Sequence, residues 1–316
     1  MPASGTQRGG SSAKLTSYFF DLLNPARIFR AVQFHRKQKK YCKVSHDQEL
    51  RLYSEMLSND MLHYGYFANA GIEPENLSFH DMETAQLDYA EKLISHLQDK
   101  TLAVLDIGCG IGGIANLICQ KGFTVDVLSP NVNQITYIKN KYPGLTAYNV
   151  RFEAFHSDKK YGSLLNAESF QYIDMKKAFE KAGEIITPEG RWIIADYFPI
   201  KDSGDKKPQK KFEDLEKLAA GYGWKIIYQE DITYHVLPTL KFVNMYVTRI
   251  VNPLISYLEN KLLIKLAWLH HLTHEIREKL SLKLNKEFSK LDVEAFVAEK
   301  KYMIVVLEKQ LVKENK

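Results

Sequence analysis

Between residues 101 and 310 the hydrophobic pattern keeps switching between two periods. "TLAVLDIG" (101–108) is an apolar run broken only by an acid near its end, which reads as a buried strand. "GGIANLICQKG" (112–122) has helical spacing, and "FTVDVLSP" (123–130) reads as a second strand. A helix near 131–141, strands near 145–152 and 161–166, a helix near 174–185 and the strand "GRWIIADYF" (190–198) follow. "FEDLEKLAAGYG" (212–223) is a helix closed by glycine, "WKIIYQEDI" (224–232) a strand and "YMIVVLEKQ" (302–310) a final strand. Such alternation predicts an α/β fold: a doubly wound, mostly parallel seven-stranded sheet with helices on both faces.

The flanks follow another pattern. Residues 1–14 are a polar tail with no secretory-leader pattern. Residues 15–79 read as an N-terminal helical segment that ends in the aromatic block "MLHYGYF" (61–67). The core then runs over 80–234, opening with the amphipathic "HDMETAQLDYAEKLISHLQDK" (80–100). Residues 235–297 are strongly helical and rich in Leu, Ile, Tyr and Trp, an insertion before the last strand and tail at 298–316.

Composition adds little: 316 residues, 45% hydrophobic and 26% charged, are ordinary globular material. Cys42, Cys109 and Cys119 form neither a CxxC pair nor a disulfide framework, which suits a reducing, cytoplasmic setting. No long uncharged apolar run predicts a spanning helix. Charge changes the picture more. Of the net +5, residues 22–46 hold seven Lys or Arg and no acid, and residues 235–290 hold nine basic and four acidic side chains. Anionic membrane surfaces and nucleic acids both attract such patches. The basic residues lie among aliphatics and no RNA-binding or helix-turn-helix motif is present, so nucleic acid is not expected. Residues 15–43 are instead a candidate for peripheral membrane contact, with a helix packed on the domain as the alternative. His270 and His274 stand at i and i+4, but no cysteine or HExxH supports a metal, and none is expected.

Candidate chemistry centres on "VLDIGCGIGG" (104–113). Four glycines in six residues suit a strand-to-helix turn that a ligand approaches closely. Gly108, Gly110 and Gly113 satisfy GxGxxG, which dinucleotide dehydrogenases share. Asp106 separates the ligands. A carboxylate there repels a pyrophosphate and suits the sulfonium and ammonium of S-adenosylmethionine (SAM).

With "PEGRWIIADYF" (188–198), "AESFQYID" (167–174), "MLHYGYF" and "LSPNVNQ" (128–134), the chain resembles the class I SAM-dependent methyltransferases, whose core is Rossmann-like. The aromatic and "LSP" blocks are similar to the tocopherol, sterol and cyclopropane-fatty-acid subgroup. The resemblance implies that Gly108, Gly110 and Gly112 pass under the methionine part of SAM while Asp106 orients it. Cys109 packs behind the turn. The ribose contact falls among Ser129, Asn131 and Gln134, since Asp126 sits too early and points away. Glu153 lies near the adenine, and Asn166 and Tyr64 complete the cofactor set. Glu168 is the sharpest acceptor-side candidate, with Tyr172, Tyr66 and His63 as further catalytic candidates; His63, Tyr64, Tyr66 and Phe67 cover the cofactor. Gln171 and Tyr172 stand where the subgroup often carries Glu-His. That argues against deprotonation by a histidine at that spot and for an alkene, amine or activated carbon.

The expected activity is methyl transfer from SAM to a small, lipophilic acceptor: isoprenoid, sterol-like, quinone-like or fatty-acyl. The 235–297 insertion is read as a helical cap lining the acceptor pocket with apolar side chains. A homodimer surface or an extra core is its alternative. Competing functions are N-methylation of a small amine or head group, an NAD-dependent oxidoreductase, and a non-catalytic SAM-fold subunit.

Overall fold

The computed structural model describes residues 24–45, 58–200 and 210–311. The polar tail, residues 15–23 and residues 46–57 lie outside the described residues. The chain divides into two units, 1–49 and 50–316. In the first, α1 (Pro25–Ser45) presents Ile28, Phe29, Val32 and Phe34 to solvent.

The second unit is built on a seven-stranded sheet: β1 (Val104–Ile107), β2 (Val125–Leu128), β3 (Thr146–Tyr148), β4 (Tyr161–Ala167), β5 (Ile186–Pro199), β6 (Trp224–Asp231) and β7 (Lys300–Lys309). Their spatial order is β3-β2-β1-β4-β5-β7-β6. Strands β1 to β5 pair in parallel, and β7 runs antiparallel between β5 and β6. The strand order reverses between the parallel strands β1 and β4, so their C-terminal ends open a crevice there. Apolar side chains cover both faces, which is why these strands read as continuous hydrophobic runs. Leu105, Ile107, Trp192 and Tyr161 pack on one side, against Phe179 of α5 (Met175–Ile185) and Leu215 of α6 (Phe212–Gly221). Val104, Val127 and Ile193 pack on the other, with Tyr89 and Leu93 of α2 (Phe79–Ile94) and Ile118 of α3 (Gly113–Gln120). Ser78 and Asp81 close a capping box that starts α2. Asn131 caps α4 (Val132–Lys141) by accepting from the Asn133 N–H.

The insertion is helical, as the pattern predicts, and its helices are buried to very different extents. α7 (Thr233–Tyr246) buries Val236, Leu237, Leu240 and Phe242. After a π-helical turn (Val247–Val251) come α8 (Asn252–Lys265), α9 (Ala267–Leu272) and α10 (His274–Phe288), none with a buried residue. α11 (Val293–Glu299) then returns the chain to β7, anchored by Phe296. Only the two roots of the insertion join the core. No helix among the described residues is long and apolar enough to cross a membrane.

Close backbone approach sets one testable limit. At the start of β4 a Cβ on Gly162 would lie 2.4 Å from Leu102 Cβ. Gly162→Ala should therefore cost about 1–3 kcal/mol through overpacking. Urea unfolding reads this directly, and wild-type stability in the variant would contradict the packing described.

Candidate functional site

The β1–α3 turn is shaped by three glycines in the left-handed region: Gly108 (φ 75°), Gly110 (φ 55°) and Gly112 (φ 91°). Gly108 also has no room for a side chain, because a Cβ would stand 2.4 Å from Ser169 Cβ. Residues 58–67 run over this turn as an extended strap. A Cβ on Gly113 would meet the Asp60 carbonyl oxygen at 2.5 Å, and Leu62 reaches within 3.4 Å of where one would sit on Gly110. The strap is pinned by Asp60, a buried acid that accepts hydrogen bonds from Tyr137 (3.0 Å) and Tyr142 and an ion pair from Lys141 (2.6 Å). Nothing in the spacing of "SND" announces this clasp. Its partners lie more than seventy residues downstream.

Asp106 is buried on the face of β1 that also carries Val104. No described residue donates a hydrogen bond to its carboxylate, and burial alone raises its pKa to about 7. A buried acid without a donor is costly and calls for a cationic partner. Beside it the Cys109 thiol is pushed well up by burial and by Asp106, which makes it unreactive, in keeping with a packing role. Asp126 points away, as expected: Lys159 and Tyr161 hold it at 2.8 Å each.

Across the crevice, Glu168 follows β4 with φ 55°. Its Oε1 accepts from the Tyr64 N–H (2.7 Å) and the Tyr302 hydroxyl (2.9 Å), and Tyr302 is linked to the Tyr89 hydroxyl at 2.8 Å. Burial raises its pKa to about 8, over the opposing pull of those two donors. Asp196, raised by burial to about 6, holds Gln171 through its backbone N–H (2.9 Å) and side-chain amide (3.3 Å). Gln171 in turn accepts from the Tyr197 hydroxyl. The sequence reading missed Asp196, Tyr197 and Tyr302. The acid of "IIADYF" was a visible signal; a tyrosine from the last strand had none.

His63 keeps one ring nitrogen unpaired. Its Nδ1 lies 2.7 Å from the Tyr64 carbonyl oxygen, which can only accept, so Nδ1 carries the proton. Nε2 is then a lone pair, buried and without a partner. Burial lowers the pKa to about 4 and keeps the ring neutral, and the ring stacks on Tyr89 at 4.3 Å.

His63, Glu168, Gln171 and Tyr197 share one cavity of about 340 Å³, which Asp106, Asp196 and Tyr302 do not line. Leu62, Phe79, Met82, Leu240, Phe242 and Val243 form its apolar walls. His63, Tyr64, Gln86, Glu168, Gln171, Tyr172, Tyr197 and Thr239 supply polar atoms, and Leu291 completes the lining. Glu168, Tyr172, Tyr64 and His63 are thus brought together. Tyr66 is not: its ring stacks on His235 at 4.7 Å under the Lys92 ammonium and does not line the cavity. Strand alternation would put Tyr64 and Tyr66 on one face, but residues 58–67 form no strand and the rule does not hold there. Asn166 is also corrected. It is wholly buried, donating to Ile107 O and Ser169 Oγ and accepting from Trp192 Nε1, so it braces the turn from below. Glu153 spends Oε1 on the Asp174 N–H before α5. Ser129 donates to Gln134 Oε1 (2.6 Å) and accepts from the Asn131 N–H, so the three ribose candidates form one hydrogen-bonded group. From the insertion only α7 and Leu291 reach the cavity; the cap's apolar helices do not.

No family model matches the chain. The ubiquinone biosynthesis O-methyltransferase of Rickettsia felis is 32% identical over 124 residues, 37% of this chain and 50% of the relative. The chain spans about half the length of the curated relatives it matches. Among solved structures, a candidate sarcosine dimethylglycine methyltransferase of Galdieria sulphuraria superposes with a TM-score of 0.64 at 16% identity, over 84% of this chain and 99% of that one. The [4+2]-cyclase SpnF gives 0.59 at 14%, over 84% and 95%. Geranyl diphosphate C-methyltransferase of Streptomyces coelicolor A3(2), solved with Mg2+, geranyl diphosphate and S-adenosyl-L-homocysteine, gives 0.57 at 14%, over 78% and 90%. The chain has the class I methyltransferase fold. Within this methyltransferase fold, the glycine turn and Asp106 occupy the crevice beside β1, and the cavity lies beyond β4.

Three raised carboxyls make stability pH-dependent. Each is protonated when folded at a pH where it is ionised when unfolded. Their contribution is fully present below the ordinary carboxylate range and is lost as pH rises through about 6, 7 and 8 for Asp196, Asp106 and Glu168. Glu168→Gln removes one share. Relative to wild type, it should gain up to about 1.4 kcal/mol per pH unit as pH climbs from 4.5 towards 8, measured by urea unfolding across that window. A constant difference between the two proteins would contradict a raised Glu168.

Proposed function

We propose that this protein is a SAM-dependent methyltransferase acting on a small, lipophilic acceptor held in the cavity beside Glu168. The observation that carries this reading is the buried Asp106 carboxylate, without a donor, next to a bend of left-handed glycines. Bare backbone admits the ligand, and the acid favours one that is cationic. That combination suits the sulfonium and ammonium of SAM and disfavours a pyrophosphate. When bound, SAM supplies an electrophilic methyl group on sulfur.

The chain's own residues orient the acceptor and exclude water. The walls from α2 and α7 bind its apolar body. At neutral pH Glu168 is mostly protonated, so its second oxygen can donate a hydrogen bond. The His63 lone pair can accept one from an acceptor hydroxyl. This pairing of donor and acceptor supports a hydroxyl- or carbonyl-bearing acceptor, and it supplies an imidazole at a different place from the Glu-His position the sequence lacks. Holding the acceptor in line, at near-attack distance, provides most of the rate. The names of the similar proteins, with ubiquinone biosynthesis and geranyl diphosphate among them, support a lipophilic acceptor. N-methylation of a small amine is the second reading, favoured by the rings of Tyr64, Tyr172 and Tyr197 around a carboxyl. Peripheral contact with a membrane belongs to the first reading, supported by Phe29 and Phe34 exposed on α1 among its arginines.

Incubating the full chain with methyl-labelled SAM and a lipid extract, alongside a panel of small amines, tests this. Label should enter a lipid-soluble product. Asp106→Asn should bind SAM at least tenfold more weakly, the value of about 1.4 kcal/mol for one lost charge contact. His63→Ala should lower kcat by about 10²-fold or more if its lone pair takes the acceptor's proton. Label in the amines alone would select the second reading. No SAM binding at all would overturn both.

A further inference from the structure

An insertion of amphipathic helices ordinarily buries its apolar stripes, and this one does not. Ile250, Leu254, Tyr257 and Leu258 recur at i, i+4, i+7 and i+8 and are 53%, 53%, 57% and 55% exposed. Leu272, Ile276 and Leu280 recur every fourth residue and are 66%, 61% and 54% exposed. The stripes belong to one body. Arg277 of α10 pairs with Glu259 of α8 at 3.6 Å and donates to the His270 carbonyl oxygen of α9 at 2.9 Å. So much apolar surface in contact with water marks an interaction site.

Charge selects the occupant. Residues 247–290 carry eight Lys or Arg and four Glu, with no Asp, for a net of +4. A second copy docked face to face would set this charge against itself. An anionic bilayer is its complement: apolar stripes enter the acyl boundary while lysine stems extend to the headgroups. Position agrees with charge. The insertion leaves the core at α7, whose Val243 lines the cavity, and returns through Leu291, which lines it too. We propose that residues 247–288 are a docking surface for an anionic lipid bilayer, which sets the cavity at the lipid surface. The benefit to a lipophilic acceptor, which then need not cross water, rests on the proposed function; the docking does not.

Co-sedimentation of the full chain with vesicles tests it, using phosphatidylcholine alone and phosphatidylcholine mixed with phosphatidylglycerol. Wild type should partition onto the mixed vesicles and be released by high salt. L254E/L258E/I276E should bind them about tenfold or more weakly. Its substituted positions are exposed, so its melting temperature and SAM affinity should match wild type. α1 is intact in this variant, so binding retained at the wild-type level would place the membrane contact elsewhere and overturn the proposal. Absence of wild-type binding to anionic vesicles would overturn it as well. So would a wild-type dimer in sedimentation velocity that the variant converts to monomer, which would make a second copy the occupant. Vesicle binding without SAM binding would remove the proposed function and leave the docking surface standing.

Discussion

A carboxylate buried without a donor is among the most costly groups a fold can carry. Asp106 is such a group, and the crevice is organised around it. Two more raised acids, Glu168 and Asp196, stand near the C-terminal ends of the adjacent strands β4 and β5. The Asp196 charge adds to the effect of burial in raising Glu168. Three acids whose charged forms are disfavoured by burial, at the C-terminal ends of β1, β4 and β5, favour a cation over an anion there.

The scaffold converts that demand into shape. Positive φ at Glu168 aims its carboxyl back over the sheet edge, where a tyrosine from the antiparallel β7 and the backbone of the strap hold one oxygen. Asp60 clasps the strap to α4, so one segment both covers the glycine turn and lines the cavity. The insertion contributes wall residues only at its roots, which leaves its outer helices available for a separate task.

Much of this was legible in the sequence. Continuous apolar runs marked the central strands β1, β2, β4 and β5, because a parallel sheet buries both faces, while β6 shows the alternation of an edge strand. The direction of Asp126 followed from strand alternation, and the inert setting of Cys109 from its place in the turn. What failed was long-range. Asn166 looked like a ligand contact because it ends a strand at the crevice, yet Trp192 claims it from below. Tyr66 sits in the aromatic block, yet His235 takes its ring. The insertion's leucines looked like pocket lining, yet most of them face solvent. Periodicity shows that a stripe exists and is silent on what covers it.

Fold by itself does not decide the chemistry, since a [4+2]-cyclase superposes about as well as the methyltransferases do. The deciding property is the charge of a ligand placed beside Asp106. Calorimetric titration of the full chain with SAM near pH 7, in buffers of different ionisation heat, tests this most directly. The account predicts saturable binding with net release of a fraction of a proton, as the cation draws the Asp106 pKa down from about 7. Saturable binding of NAD with no binding of SAM, or SAM binding that leaves the proton count unchanged, would contradict it.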